Sequence, residues 1–161
     1  MRKKLNLDEV KAFIDAQSPE SKVYLGCDSE KYRVRGVWYA DFILAIVVHR
    51  FIDGVGKGCK IFAEIQTERD FDAKKDKPAL RLMMEVAKVA ELYLKMADQL
   101  VDREVEIHLD INPAITAGSS CVLTEAIGYI RGVCNIEPLV KPNAFAASYA
   151  ADRAKELQLA A

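Results

Sequence analysis

The sequence predicts an α/β fold: a mixed five-stranded sheet in the order βββαβαβα, flanked by helices and preceded by one extra helix. An amphipathic segment opens the chain, three strand-like runs separated by turns follow it, and helical and strand patterns then alternate. With 161 residues, about half of them apolar, the chain has the size of one domain. We expect a single domain over residues 1–161, with the extra helix at about 7–17 and the core at about 22–158.

The first half of the chain has the pattern of a helix followed by a three-stranded meander. Asn6 can cap the helix, with Glu9 three residues later, and apolar residues then recur at helical spacing. Three runs rich in β-branched and aromatic residues follow, separated by turns that contain glycine. The predicted strands are Val23–Cys27, Val37–His49 and Cys59–Thr67.

The second half alternates helices with short strands. A helix is predicted from Pro78 to about Ala97, and Val105–Leu109 should be a strand parallel to the first, because strands joined through a helix are usually parallel. The predicted core stripe of that helix is Leu80, Met83, Met84, Ala87, Ala90 and Leu94. The remaining predicted elements are a helix capped by Ser119 and ended by Gly132, a fifth strand at Pro138–Val140, and an alanine-rich last helix capped by Asn143.

Composition and charge argue against several classes of protein. The formal net charge is −1, so the chain has no global basic field that would by itself indicate nucleic-acid binding. The four cysteines have neither Cys-x-x-Cys spacing nor histidines nearby, which argues against a zinc site. No apolar run approaches the ~20 residues of a membrane span, and the N-terminus has no apolar signal region. We expect a cytoplasmic protein with no membrane partner, and the sequence leaves the oligomeric state open.

Four acids occupy positions where the predicted elements would bring them together. Asp28 and Asp110 follow the first and fourth predicted strands. Carboxylates at the ends of adjacent parallel strands lie roughly 5 Å apart. Glu85 lies near the start of the first core helix and Asp152 in the middle of the last one. Both helices can bring a side chain over the carboxyl edge of the sheet, which predicts a cluster of four acids.

Clustered carboxylates repel one another unless a cation lies between them. Mg²⁺ and Mn²⁺ prefer oxygen ligands and commonly keep positions open for water and substrate phosphate. Two ions held ~4 Å apart can activate a water on one side of a phosphodiester and stabilise the leaving oxygen on the other. The four acids therefore predict a two-metal site for phosphoryl transfer, which needs no serine or histidine nucleophile.

Four more side chains are candidates for supporting this site or binding substrate. His108 should share a strand face with Asp110, which would permit a hydrogen bond to that carboxylate; a buried structural histidine is the alternative. Lys141 should lie near the same edge, where it could bind a phosphate or be an ordinary exposed lysine. Ser29 and Ser148 are candidate donors to a phosphate or to a ligand carboxylate.

The predicted turn between the first two strands is rich in positive charge. Lys31, Arg33 and Arg35 alternate along this hairpin, with Tyr32 between them. Such a ribbon could follow a nucleic-acid backbone, or it could be a solvated strand edge that charge protects from aggregation.

Four stretches between Lys22 and Lys155 resemble the motifs of a known family. They are Leu25–Ser29 (Leu-Gly-Cys-Asp-Ser), His108–Asn112 (His-Leu-Asp-Ile-Asn), Gly118–Ser120 and Lys141–Asp152 (Lys-Pro-Asn-Ala-Phe-Ala-Ala-Ser-Tyr-Ala-Ala-Asp). With the predicted element order, they resemble the ribonuclease H-like superfamily, and within it the YkuK-like family of predicted RNase H-related nucleases. Met83–Val86 is similar to the helix segment that carries the second acid of RNase H enzymes, which favours Glu85 over Glu64 and Glu91.

The resemblance implies an RNase H-like fold and a nuclease that depends on Mg²⁺ or Mn²⁺. Asp28 and Asp110 would share an ion, and Glu85 and Asp152 would complete the two sites. The implied substrate is a nucleic acid: an RNA/DNA hybrid, RNA or structured DNA.

The chain departs from the RNase H pattern in two ways. No histidine follows His108, whereas many enzymes that cut RNA in hybrids carry one before the last acid. The segment from Gly132 to Pro138 is too short for the basic helices that some of them use to grip a hybrid. Two alternatives follow: a structure-selective DNA nuclease similar to RuvC-like resolvases, usually a dimer with two sites, and a non-catalytic module that binds nucleic acid or protein.

Overall fold

The computed structural model describes residues 4–71, 79–114, 120, 122–146 and 152. The helices and strands in these residues are α1 Leu7–Asp15, β1 Lys22–Val34, β2 Val37–Ile52, β3 Val55–Arg69, α2 Ala79–Lys95, α3 Ala97–Leu100, β4 Val105–Leu109 and α4 Leu123–Cys134. The strands form one mixed sheet in the order β3-β2-β1-β4. The α/β class and the N-terminal helix are as predicted, and within the described ranges the sheet has four strands instead of five.

The meander of β1, β2 and β3 is antiparallel, and its strands are longer than the sequence predicts. Both connecting turns place two consecutive residues at positive φ, at Arg35-Gly36 and at Asp53-Gly54. Two-residue turns of this kind match the twist of the flanking strands, so pairing continues up to the turn. β1 therefore extends to Val34 instead of ending at Cys27, and Asp28 lies within a strand rather than at its end.

β4 pairs in parallel with β1, as predicted for strands joined through a helix. The last pair in their register is Cys27 opposite Leu109. Asp28 directly follows Cys27 and Asp110 directly follows Leu109, so the two aspartates lie side by side just beyond the last pair. The register of the parallel pair thus brings two carboxylates together at the carboxyl end of β4.

The predicted fifth strand at Pro138–Val140 does not form. Leu139 makes only an isolated parallel bridge with His108: its N–H donates to the carbonyl of Ile107, and its carbonyl accepts from the N–H of Leu109, both at 2.8 Å. Two residues later the N–H of Lys141 donates to the carbonyl of Ile111 at 3.1 Å, and not to that of Leu109, so the ladder does not continue beyond the single bridge.

α2 packs on the sheet with a face that overlaps the predicted one only in part: Ala90 is buried and Met83 and Met84 pack against the core, but Ala87 is exposed. Its buried residues are Leu82, Glu85, Val86, Val89, Ala90 and Leu92. In the predicted stripe, Leu80 is 50% exposed and Leu94 53% exposed. The observed face has the same helical period but is rotated toward Leu82, Val86 and Val89. The core therefore selects the stripe that carries Glu85.

α4 packs against α2, and its buried residues are Ala126, Ile130 and Cys134. It ends at Asn135, whose φ of 56° is left-handed, and not at Gly132, which lies exposed within the helix. Asparagine adopts this conformation at helix ends more readily than most residues. The predicted cap Ser119 and most of the predicted last helix lie outside the described residues. None of the helices in the described ranges combines the length and apolarity of a membrane span.

Candidate metal centre

Three of the four predicted acids converge at one edge of the sheet. Asp28 comes from β1, Glu85 from α2, and Asp110 from the position after β4. One carboxylate oxygen from each of them lies within 4.8 Å of the other two. The parallel register positions the two aspartates, and the packing of α2 on β1 brings in the glutamate. We call these three residues the carboxylate cluster.

A chain of hydrogen bonds through Ser29 orients two of the three carboxylates. The Ser29 hydroxyl donates to Oε1 of Glu85 at 2.6 Å, and its backbone N–H donates to Oδ1 of Asp28 at 2.8 Å. Nη1 of Arg81 in turn donates to the Ser29 hydroxyl oxygen at 2.6 Å. Ser29, a candidate donor from the sequence, therefore contacts two members of the carboxylate cluster directly.

Burial and mutual repulsion hold protons on the carboxylate cluster. Burial raises the pKa of Asp28 to about 8, with further contributions from the hydrogen bond to Asp110 and from the charge of Asp110. Burial is also the main cause that raises the pKa of Glu85 well above its usual value, against the opposing hydrogen bond from Ser29. The charges of Asp28 and Asp110 raise the pKa of Glu85 further. The cluster therefore resists carrying its full negative charge at neutral pH without a cation.

Lys141 supplies one positive charge to the carboxylate cluster. Its Nζ lies 2.5 Å from Oδ1 of Asp110, and this contact is the main cause that raises the pKa of Lys141. The sequence placed Lys141 near this edge as a candidate phosphate ligand. In the structure it pairs instead with a carboxylate, so a divalent cation would take over the role that its ammonium group performs here.

Asp152, the fourth predicted acid, lies near the carboxylate cluster but outside it. The residue is helical and exposed. It lines an open cleft together with Asn112, Lys141 and Pro142, among other residues. Its negative charge contributes to the raised pKa of Asp28, although it is the smallest of the causes. The structure thus places Asp152 within electrostatic range of the cluster.

His108 does not contact the carboxylate cluster, and the hydrogen bond to Asp110 that its strand face would permit is not made. Nε2 of the imidazole bonds Oε2 of Glu106 at 2.8 Å, and Nδ1 accepts from the N–H of Ala146 at 3.0 Å. The ring is fully buried and stacks on Tyr24, with centroids 5.4 Å apart. Both ring nitrogens are thus occupied away from Asp110, which makes His108 a structural residue. The other candidate donor, Ser148, lies outside the described residues.

Arg81 is the residue at this site that sequence reasoning missed. It lies one helical turn before Glu85 on α2, and besides its bond to Ser29 it is 3.8 Å from Asp70. The i, i+4 spacing of Arg81 and Glu85 indicates that the two residues share one face of the helix. The predicted core stripe did not include that face, so Arg81 was not considered. The competitors of Glu85 lie elsewhere: Glu64 accepts a hydrogen bond from the N–H of Leu5 at 2.8 Å, and Glu91 pairs with Lys95 at 2.9 Å.

The donor set of the carboxylate cluster fits a hard divalent cation. All three groups offer carboxylate oxygens, which Mg²⁺ and Mn²⁺ prefer, and the cluster contains no thiolate or imidazole that would favour zinc. Metal binding must displace the protons that burial and repulsion hold there, so the affinity for metal should rise with pH. Asp28, Glu85 and Asp110 are the residues that would hold the ion.

The fold and the site together define a class of protein: a mixed α/β sheet that carries a carboxylate centre suited to a divalent cation. The family model described as Ribonuclease H-like matches residues 6–156 of the chain. The chain therefore belongs to the Ribonuclease H-like family. No curated protein and no solved structure matches it.

Proposed function

We propose that the protein is a nuclease that uses Mg²⁺ or Mn²⁺ to hydrolyse nucleic-acid phosphodiesters by two-metal catalysis. The observation that supports this best is the convergence of Asp28, Glu85 and Asp110 within 4.8 Å, in surroundings that raise the pKa of two of them. Each carboxylate has a partner, in Ser29 or Lys141, yet the pKa values of Asp28 and Glu85 remain raised, so these contacts do not offset burial and repulsion. A cluster that repels itself is suited to bind a cation.

Each acid has a proposed role in this reaction. Asp28 and Asp110 hold the shared ion, while Glu85 and Asp152 complete the two sites. When bound, the two ions supply Lewis-acid activation of a water and stabilisation of the leaving oxygen. Ser29 keeps the carboxylates of Asp28 and Glu85 in fixed orientations, because it bonds to both.

We propose a role for Lys141 in binding substrate. In the structure its ammonium group pairs with Asp110. When that carboxylate binds a cation, the lysine is released and lies beside the centre, where it can contact a phosphate oxygen. This role agrees with its position on the cleft that Asp152 also lines.

Within the Ribonuclease H-like family we assign the chain to the YkuK-like group, on the motifs at Leu25–Ser29 and Lys141–Asp152. We also take it as one domain, which the match over residues 6–156 supports. The proposed substrate is an RNA/DNA hybrid, RNA or structured DNA. The contact of Lys141 with Asp110 favours one second candidate, a binding module in which this lysine permanently replaces the metal.

Calorimetry with Mn²⁺ tests the centre. The parent should bind at one site and more weakly at a second, and Asp28→Asn combined with Asp110→Asn should abolish the tighter binding.

Cleavage of single-stranded, duplex, hybrid and branched substrates should require the metal and fall by at least ~10²-fold in Asp152→Asn. If the double variant binds Mn²⁺ as the parent does, the centre lies elsewhere. A metal-binding parent that cuts none of the substrates would favour the binding module, and cutting of branched DNA by a dimer in gel filtration would favour the RuvC-like alternative.

A further inference from the structure

Beyond the carboxylate cluster, β1 and β2 continue as an exposed two-stranded ribbon. We call residues 30–41 the outer ribbon; its register runs from Glu30 opposite Asp41 to Val34 opposite Val37. Its basic residues Lys31, Arg33 and Arg35 are exposed. The ribbon begins directly after Ser29, the residue that contacts two acids of the centre, so it is a continuation of the site.

One face of the outer ribbon carries a row of side chains that starts at the metal centre. Ser29, Lys31 and Arg33 are alternate residues of one strand and therefore point to the same face. Successive members of such a row lie about 6.7 Å apart along the strand, which is twice the rise per residue. This spacing is close to that of neighbouring phosphates along an extended nucleic-acid strand.

Trp38 holds the two cations of this row in place. The ammonium group of Lys31 lies 5.5 Å from the centre of the indole ring, and the guanidinium of Arg33 lies 5.9 Å from it. Both distances are in the range of cation–π attraction. On the opposite face Tyr32 and Tyr39 stack with their ring centres 6.0 Å apart. Aromatic contacts on both faces therefore order the ribbon and reduce the entropy that its cations would lose on binding.

The charge of the outer ribbon contrasts with that of the whole chain. Residues 30–41 carry three basic side chains and two acidic ones, a net charge of +1, whereas the chain has −1. A single row of cations on one ribbon is complementary to one phosphate backbone rather than to the two backbones of a duplex.

We infer that the outer ribbon binds a single-stranded segment of nucleic acid that flanks the phosphate held at the carboxylate cluster. Lys31 and Arg33 contact successive phosphates of that strand, and Trp38 orients the two cations. This inference rests on the proposed function for the position of the cleaved phosphate. It adds the form of the substrate next to the cut, a single strand.

The test compares two variants that lose the same charge at opposite ends of the sheet. Lys31→Gln with Arg33→Gln removes two cations from the outer ribbon. Lys57→Gln with Lys60→Gln removes two exposed cations from β3 near its turn with β2, far from the carboxylate cluster. Binding of a labelled oligothymidylate of about 20 nucleotides is measured by anisotropy over a range of salt concentrations, beside the RNA of the same length and a duplex.

We expect the ribbon variant to bind the single strand at least ~10-fold more weakly than the parent. The slope of log K against log salt should fall by about 1.4, since each lost phosphate contact on a single strand contributes about 0.7. The control variant should bind as the parent does. Because Trp38 is the single tryptophan of the chain, bound oligonucleotide should also change the intrinsic fluorescence of the parent.

Three results would overturn the inference: equal losses in the two variants, oligonucleotide binding that leaves Trp38 fluorescence unchanged, or tighter binding of the parent to duplex than to single strand. Calorimetry with Mn²⁺ separates this failure from a failure of the proposed function. A ribbon variant that loses strand binding but retains parental Mn²⁺ affinity supports the inference, even if the parent cleaves nothing. A parent that binds metal and cleaves, with a ribbon variant that binds and cleaves equally well, overturns the inference alone.

Discussion

Two polar sites of this molecule, the fully buried His108 and the partly buried carboxylate cluster, differ in the charges that face one another. At one, the imidazole of His108 uses both ring nitrogens, one with Glu106 and one with the N–H of Ala146. At the other, the carboxylates of Asp28, Glu85 and Asp110 face one another. Burial lowers the pKa of His108 and so keeps it neutral, whereas burial and repulsion raise the pKa of Asp28 to about 8.

This difference distinguishes a polar residue that stabilises the fold from a group of residues that can bind a ligand. A buried polar group with all its hydrogen bonds made adds to stability and has nothing left to offer a ligand. A buried group of like charges lowers stability and gains free energy when a cation arrives. By this criterion His108 has a structural role and the carboxylate cluster a functional one, although His108 and Asp110 are only two residues apart in the sequence.

The largest expected effect is on catalysis at the carboxylate cluster. Glu85→Gln should lower metal-dependent cleavage by about 10³-fold, or about 4 kcal/mol of barrier, because an amide is a poor metal ligand. The free energy of unfolding in EDTA should stay the same or rise, since glutamine can still accept the bond from Ser29 and removes an acid from a crowded site. Glu64→Gln and Glu91→Gln are matched controls. Full activity in Glu85→Gln, with loss in either control, would remove Glu85 from the site.

A smaller effect, on stability alone, is expected at His108. His108→Leu should lower the free energy of unfolding by about 2–3 kcal/mol, because it leaves the buried N–H of Ala146 without an acceptor and removes the stack on Tyr24. Cleavage per folded molecule at low temperature should equal that of the parent. Glu106→Gln keeps an acceptor for Nε2 and should cost less. A cleavage defect in His108→Leu without loss of stability would contradict the comparison.

The last expected effect is a pH dependence of the stability in EDTA. The pKa of Asp28 is about 8 in the folded chain and near 3.9 in an unfolded one, so the folded state holds the proton longer. Stability should therefore fall as pH rises from about 4 to about 8, and the fall should end above pH 8. Urea unfolding across this range measures the slope. Asp28→Asn should flatten it, as should saturating Mn²⁺; a flat profile in the parent would show that the carboxylates do not repel.

Local patterns were enough to predict the parts of the structure whose causes are local. The side chain of Asn6 accepts a hydrogen bond from the N–H of Glu9 and caps α1, and β4 occupies Val105–Leu109 as expected. Both follow from residues within a few positions of each other. That Asp28 and Asp110 lie close together could also be inferred, because the two residues follow the same end of a pair of parallel strands.

The core face of α2 and the length of β1 were predicted incorrectly because, in each case, the sequence fitted two local patterns equally well. α2 offers two apolar stripes with the same period, and only packing on β1 selects the one that includes Glu85. A glutamate inside an apolar stripe was itself a signal of function. The length of β1 likewise depended on pairing with β2, because the charged residues after Asp28 fit a loop as well as an exposed ribbon.

By itself, then, the sequence determined the α/β class, the order of the main elements and three acids able to meet, because propensity, periodicity and capping act over a few residues. The tertiary structure alone decided that Ser29 connects Asp28 to Glu85, that Lys141 pairs with Asp110, and that His108 bonds elsewhere. These outcomes depend on which side chains lie within about 3 Å of one another across separate elements. Such contacts are set by packing and register, which no short stretch of sequence encodes.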